Sequence, residues 1–303
     1  MRVEVLLATH NGRKYIRQFL DSLANQVDVE INLIVSDDNS SDETLQIVTS
    51  YTKCFRTLTI LNGPNKGAKD NFAHLIKISN SDFSAFADQD DIWLPNHLKE
   101  SLNRLANHTG KPALAFSKVE EFSESGQSRV WPNINVNPSL SLLLTENMAR
   151  GCTTVLNREL MNLLKQSNFS KIYMHDWWAI LVAKTCGVVE FINAPGVMYR
   201  IHEENVVGTR KPIGERVRFF CFNYFFQNDW HPQTQASQLL LQFGSYLTNQ
   251  DRNFMQTFAN LKQESFKRRY KFLYQENLVL RQSRLESRLL KLLLLLVPKV
   301  RSN

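Results

Sequence analysis

A chain of 303 residues, 43% hydrophobic and 21% charged, can bury a full core as one large or two smaller domains and lacks the bias of a disordered segment. Its net charge of +7 sits at one end: residues 262–303 carry eleven Lys or Arg and three Glu, a balance of +8, leaving −1 for residues 1–261. A nearly neutral body excludes a nucleic-acid binder built on a basic folded face.

The first half alternates strand-like and helix-like stretches. Residues 3–9 are β-rich and end in a His10-Asn11-Gly12 turn, after which Tyr15, Ile16, Phe19, Leu20 and Leu23 recur at helical spacing. Residues 31–35 read as a second strand. Ser40 and Glu43 have capping-box spacing and predict a helix opening there, carrying Leu45, Ile47 and Val48. Residues 58–61 predict a third strand, 71–78 a helix and 83–87 a fourth strand. This alternation implies an α/β fold with a parallel sheet covered on both faces. Ligands gather at the carboxyl edge of such sheets, which here holds Thr9-His10-Asn11, Asp37-Asp38 and Asp88 to Asp91. With no Gly-x-Gly-x-x-Gly after the first strand and no Gly-x-x-x-x-Gly-Lys-Ser/Thr, dinucleotide oxidoreductases and P-loop NTPases are poor candidates.

The most unusual stretch is Phe86-Ala87-Asp88-Gln89-Asp90-Asp91-Ile92-Trp93, where a buried-type strand empties into three carboxylates. Adjacent carboxylates repel unless a cation or water absorbs their charge. Their company therefore points either to a hard divalent metal, Mg²⁺ or Mn²⁺, or to a solvated acidic turn capping the helix after Pro95. Asp37-Asp38-Asn39-Ser40-Ser41-Asp42 suits either a base or ribose edge or an N-cap. In Gly63-Pro64-Asn65-Lys66-Gly67-Ala68-Lys69 the two lysines either line a phosphate path or lie on a solvated loop.

A helix is expected over residues 96–107. Residues 117–138, with Trp131 isolated among polar neighbours, read as a long and substrate-facing excursion. Residues 151–156 predict a strand and 159–164 a short helix. Met174-His175-Asp176-Trp177-Trp178 opens another helix, through residue 183. Asp176 there either complements the helix dipole or acts as a general base near a sugar stacked on Trp177 or Trp178. In Tyr199-Arg200-Ile201-His202, His202 is either a metal ligand or a hydrogen-bonded residue, and Arg200 pairs with a diphosphate or with one of the acids.

Past residue 210 the composition changes. Phe219, Phe220, Phe222, Tyr224, Phe225, Phe226 and Trp230 crowd together, and residues 239–261 have a helical apolar pattern. At the end, Arg281, Arg284, Arg288 and Lys291 form one side of a helix beside Leu278, Leu285, Leu289, Leu292 and Leu296. Such a helix lies on an anionic membrane, or packs on the main domain or a second subunit. The longest apolar run, residues 292–297, is too short to span a bilayer, and with the first strand beginning at Val3 no signal peptide is expected. Cys54, Cys152, Cys186 and Cys221 lie far apart and form no Cys-x-x-Cys pair, so neither a disulfide framework nor a zinc site is expected and reduced thiols fit a cytosolic compartment.

Taken in order, Val5-Leu6-Leu7-Ala8-Thr9-His10-Asn11-Gly12, Asp37-Asp38-Asn39-Ser40-Ser41-Asp42-Glu43-Thr44, Asn65-Lys66-Gly67, Asp88-Gln89-Asp90-Asp91-Ile92-Trp93, His175-Asp176-Trp177-Trp178 and Tyr199-Arg200-Ile201-His202 resemble an inverting glycosyltransferase of family 2. The last three stretches resemble in particular bacterial rhamnosyltransferase-like members that build surface polysaccharides such as O-antigen. The resemblance covers about two thirds of the chain. It implies the GT-A nucleotide-diphospho-sugar transferase fold over residues 1–208, followed by a helical extension over 209–303. It also implies that Thr9, Asn11, Asp38, Lys66 and Asp88 hold the nucleotide, with Asp38 near the base. Asp88 and Asp90 would form the DxD motif, Asp90 binding the divalent metal and Asp88 approaching ribose or metal. His202 would complete the metal shell, and Asp176 would be the catalytic base. The expected partners are a nucleotide-diphospho-sugar donor, plausibly dTDP-rhamnose, a glycan or lipid-linked glycan acceptor and an anionic membrane at the inner face of the cytoplasmic membrane, with no nucleic acid. Relatives often have Glu-Asp where this chain has His175-Asp176, and the Gln-x-x-Arg-Trp motif of processive synthases is absent, which implies one sugar per encounter. The rival expectations are a nucleotidyltransferase and a non-catalytic membrane-binding scaffold.

Overall fold

The computed structural model of the chain describes residues 1–123, 128–134, 137–202, 230–275 and 278–296. Strand β1 (Arg2–Thr9) is central, with β2 (Glu30–Asp37) and β3 (Thr57–Asn62) in parallel on one side and β4 (Phe83–Asp88) in parallel on the other. Helices α1 (Ile16–Ala24), α2 (Thr44–Ser50) and α3 (Ala68–Ile78) make the connections. Val5, Leu6 and Leu7 of β1 are all fully buried, because a parallel sheet is covered on both faces. Alternate residues serve opposite layers: Leu6 and Phe86 join one core, and Val5, Leu7, Ala85 and Ala87 the other.

The first four strands form the expected parallel sheet, and beyond β4 the sheet is mixed. After the two-residue β5 (Ile92–Trp93) and α4 (His97–Leu105), β6 (Ala113–Ser123) pairs antiparallel with β7 (Ser128–Trp131). After α5 (Leu140–Thr145), the short β8 (Thr154–Asn157) lies antiparallel to both β4 and β6. Helices α6 (Arg158–Lys165) and α7 (His175–Cys186) lead to β9 (Val188–Ile201), parallel to β6 and antiparallel to β5. The order is β3-β2-β1-β4-β8-β6-β9-β5 with β7 outside β6. Strand direction leaves no trace in the hydrophobic period of a four-residue strand such as β8.

Two local expectations change. Ser40 does not cap α2, which starts at Thr44; its Oγ donates to Asp37 Oδ1 at 2.6 Å, and Asp42 Oδ1 accepts from the Thr44 backbone N–H at 3.0 Å. Much of residues 117–138 is the β6–β7 pairing rather than an irregular excursion.

The described C-terminal residues form α8 (His231–Phe243), α9 (Asn249–Ala259), α10 (Phe266–Leu273) and α11 (Arg284–Leu296). Leu239, Phe258, Leu290 and Leu294 join the same core as Leu6 and Phe86, so these helices pack on one layer of the α/β body. The expected boundary at residues 208/209, the aromatic run from Phe219 to Phe226 and Cys221 lie outside the described residues. The apolar side expected of the last helix is not the side it buries. Leu290, Leu294 and Leu295 are buried with Ser287, whereas Leu285, Leu292 and Leu296 face outward.

Candidate active site

Register brings the expected residues to one edge. Thr9 is paired with Asp37 across β1 and β2, and Ala8 with Asp88 across β1 and β4, so both acidic strand ends flank the end of β1. Asp37 is spent on structure: its Oδ1 accepts from Thr9 Oγ1 at 2.7 Å and from Ser40 Oγ, and its Oδ2 from the Ser40 backbone N–H at 2.8 Å. Asp38 instead grips the next loop, its two oxygens accepting from the backbone N–H groups of Asn65 and Gly67, each at 2.9 Å. Asn65 (φ 55°) and Gly67 (φ 84°) are both left-handed, so the clamp holds a loop that extended residues cannot form. Lys66, between the two clamped amides, is exposed. Asn11, also left-handed at φ 46°, accepts from the Ser41 backbone N–H through Oδ1 at 2.8 Å.

The acid loop is tied to the β1 loop through Gln89. Its Nε2 donates to the His10 carbonyl at 2.9 Å and its Oε1 accepts from the His10 backbone N–H at 3.0 Å. Gly12 permits this approach, since a Cβ there would fall 2.2 Å from Gln89 Oε1. From the other side, Arg200 Nε donates to the Asp90 carbonyl at 2.9 Å, while its guanidinium faces the Tyr15 ring at 4.6 Å and the Phe122 ring at 4.7 Å. Arg200 thus splints the loop backbone.

Asp90 and His202 meet, Nε2 to Oδ2, at 2.7 Å. Asp88 belongs to a second set. One ligand atom from each of Asp88, Asp91 and Cys152 lies within 4.8 Å of the others, the one such cluster among the described residues. Burial, then Asp91, Asp90 and Asp176, push the Asp88 carboxyl well above the usual range. Burial and then Asp90 push Asp91 up to about 7. Asp91 Oδ1 accepts from the Arg200 backbone N–H at 3.0 Å, the Cys152 thiol is hydrogen-bonded to the same carboxylate, and its buried Oδ2 meets no nitrogen or oxygen donor among the described residues. Two buried carboxylates held together are costly, and a hard cation suits their oxygens. Cys152, given no role by its lone position in the sequence, is a buried thiol held protonated by burial and by Asp91 and Asp88.

Asp176 stands at the first turn of α7, near enough to Asp88 to raise it. Its Oδ1 accepts from the Trp177 backbone N–H at 2.6 Å; its Oδ2 accepts from Asn147 Nδ2 at 3.0 Å and the Gly151 backbone N–H at 3.1 Å. Burial raises this carboxyl to about 6 against those three donors, a value suited to a base working near neutrality. Its neighbour His175 is buried against the Phe72 ring, 3.7 Å between centroids, and burial lowers it to about 3, so it stays neutral beside the acids. Trp178 is fully buried, with Nε1 donating to Ser167 Oγ at 2.8 Å, so it belongs to the core and not to a sugar platform. Trp177 is only partly buried, its Nε1 donating to the Leu143 carbonyl at 2.5 Å.

Arg150 was hidden from sequence reasoning. Its guanidinium lies 3.8 Å from the Tyr199 ring centroid and 4.9 Å from that of Trp131, and Nη2 pairs with Glu121. Its charge lowers Asp88 and Asp91, offsetting part of their mutual repulsion. A single arginine in a stretch without periodicity gives no signal of this kind.

The model of the family described as "Glycosyl transferase family 2" matches residues 4–162. The chain is 31% identical to the dTDP-rhamnosyl transferase RfbG of Shigella flexneri over 215 residues, 67% of this chain and 73% of that protein. It is 23% identical to an uncharacterized glycosyltransferase of Rickettsia typhi, over 68% of this chain and 66% of that one. Among solved structures, S. aureus TarS 1–349 shares the fold, with a TM-score of 0.56 and 18% identity over 92% of this chain and 76% of that one. The same TarS fragment in complex with UDP-GlcNAc gives a TM-score of 0.51 at 19% identity, over 86% and 80%. The acid-rich sheet edge thus lies in a GT-A fold, and the chain is a glycosyltransferase that belongs to family 2.

Proposed function

We propose that the protein transfers one sugar per encounter, with inversion, from a nucleotide-diphospho-sugar to a hydroxyl of a glycan or lipid-linked glycan acceptor in surface polysaccharide synthesis, including O-antigen, at the inner face of the cytoplasmic membrane. The observation that carries the chemistry is Asp176: a buried carboxylate held by three N–H donors, raised to about 6 and set beside the Asp88 cluster. There it takes the proton from the acceptor hydroxyl, whose oxygen attacks the anomeric carbon from the side opposite the diphosphate. The bond to the diphosphate breaks as the new glycosidic bond forms, so a single displacement inverts that carbon and needs no protein nucleophile. The likeness to a dTDP-rhamnosyl transferase supports dTDP-rhamnose as the donor, and the UDP-GlcNAc complex of a protein of the same fold supports the nucleotide-sugar class.

Asp38 and Thr9 hold the nucleotide end in this reading, through a loop geometry already fixed by Asp37 and the Asn65–Gly67 clamp. Asn11 and Lys66 complete the donor site in this reading, Lys66 as a phosphate contact. Asp88, Asp90 and His202, with Asp91 set against Asp88, would hold Mg²⁺ or Mn²⁺, which when bound supplies positive charge to stabilise the leaving diphosphate. A thermal-shift series with dTDP, UDP and GDP, each with and without Mn²⁺ or Mg²⁺, tests base, phosphate and cation together. The expected result is stabilisation by one nucleotide that is larger when metal is present, about 2.7 kcal/mol at a hundredfold excess over Kd. No shift with any combination would contradict the nucleotide-sugar reading.

A further inference from the structure

We propose that α10 and α11 together form a docking face for an anionic lipid bilayer. The way α11 divides its leucines carries the inference. At about 100° per residue, the buried Ser287, Leu290 and Leu294 lie on one side of the helix, and Leu285, Leu292 and Leu296 lie opposite, 55%, 45% and 58% exposed. A helix that only packs on its own domain needs one apolar stripe, and α11 has two. Between the stripes run Arg284 and Arg288, both exposed, and then Lys291, whose Nζ lies 5.9 Å from the Tyr274 ring, before the band gives way to the buried Leu295 at its C-terminal end.

Tyr274 ends a row of exposed aromatics, Phe266, Tyr270 and Tyr274, spaced four residues apart along α10 and just past its end. Arg269 and Leu273 of α10, flanking the row, are buried, and Arg269 Nη1 donates to the Leu294 carbonyl at 3.5 Å. The two helices are therefore packed together, and the surface runs from aromatic row to basic band to leucine row. Aromatic rings favour the headgroup level, leucines the acyl boundary below it, and arginines the anionic headgroups. A self-complementary contact with a second copy would instead set the basic band against itself. No helix among the described residues is long and apolar enough to cross a membrane. The inference extends the membrane location proposed for the acceptor and does not depend on the transfer chemistry.

The experiment is co-sedimentation of the full chain with vesicles of phosphatidylcholine alone or with about one third phosphatidylglycerol. We expect salt-sensitive binding to the anionic vesicles only. The paired changes Leu292→Ser with Leu296→Ser, and Arg284→Glu with Arg288→Glu, should each weaken it about tenfold or more. Circular dichroism and calorimetric nucleotide binding should stay as in the parent chain. Equal vesicle binding by parent and folded variants, equal binding to neutral vesicles, or a dimer in ultracentrifugation that the leucine variant dissolves would each overturn the docking face. Lost vesicle binding with intact nucleotide binding leaves the transferase reading standing. Intact vesicle binding without nucleotide binding refutes that reading and leaves the docking face.

Discussion

Asp176→Asn is expected to bind the nucleotide-sugar as tightly as the parent chain and to transfer about 10²- to 10⁴-fold more slowly. The amide keeps the shape of the carboxylate but cannot take a proton. One of the three N–H donors around it, from Asn147, Gly151 or Trp177, must lose its acceptor, because an amide presents one oxygen where the carboxylate presents two. That loss costs about 1–3 kcal/mol and is offset by relief from burying a charge, so thermal stability should change little. The pH dependence follows with a definite sign. A base raised to about 6 is protonated and idle at pH 5, so the transfer rate of the parent chain should climb through pH 6 and level off above pH 7. The variant should lose that limb. Steady-state transfer rates over this range, with donor affinity measured in parallel, decide it; a variant turning over at the parent rate would move the base elsewhere.

The second large effect belongs to Asp90. Its carboxylate meets His202 at 2.7 Å and lies within the field of Asp88 and Asp91, so it is the side chain shared by the two halves of the acid cluster. Asp90→Ala should weaken metal-dependent nucleoside diphosphate binding by at least about 100-fold, since even the outer partners of a metal site cost 10–100-fold. Metal-independent binding, set by Asp38 and the clamped 63–67 loop, should survive. Isothermal titration with and without Mn²⁺ separates these contributions. Unchanged Mn²⁺-dependent binding would remove Asp90 from the cation site.

Much of this site was legible because its residues sit at the ends of strongly periodic elements. Thr9 and Asp88 close two strands and Asp38 follows a third; the alternation of strands with helices predicts parallel pairing, which brings them to one edge. Asp176 was equally legible, as an acid beside two indoles at a helix start. What could not be read depends on contacts between segments far apart in the chain. The Asn147 and Gly151 donors to Asp176, the Cys152 thiol beside Asp91 and the Arg150 stack on Tyr199 come from a stretch with no motif. Likewise, spacing showed an apolar side on the last helix but not which leucines the body covers. The antiparallel β8 escaped because four residues carry no sign of direction, and Ser40 is no cap because its Oγ accepts from the Asn11 backbone N–H and donates to Asp37.

The central claim, transfer by single displacement with Asp176 as base, is tested most directly by the anomeric configuration of the transferred sugar. NMR of the product formed from dTDP-rhamnose, or from whichever donor the thermal-shift series selects, should show the configuration opposite to the donor's, with release of one nucleoside diphosphate per sugar. A product that keeps the donor's configuration would require a second displacement and contradict the mechanism.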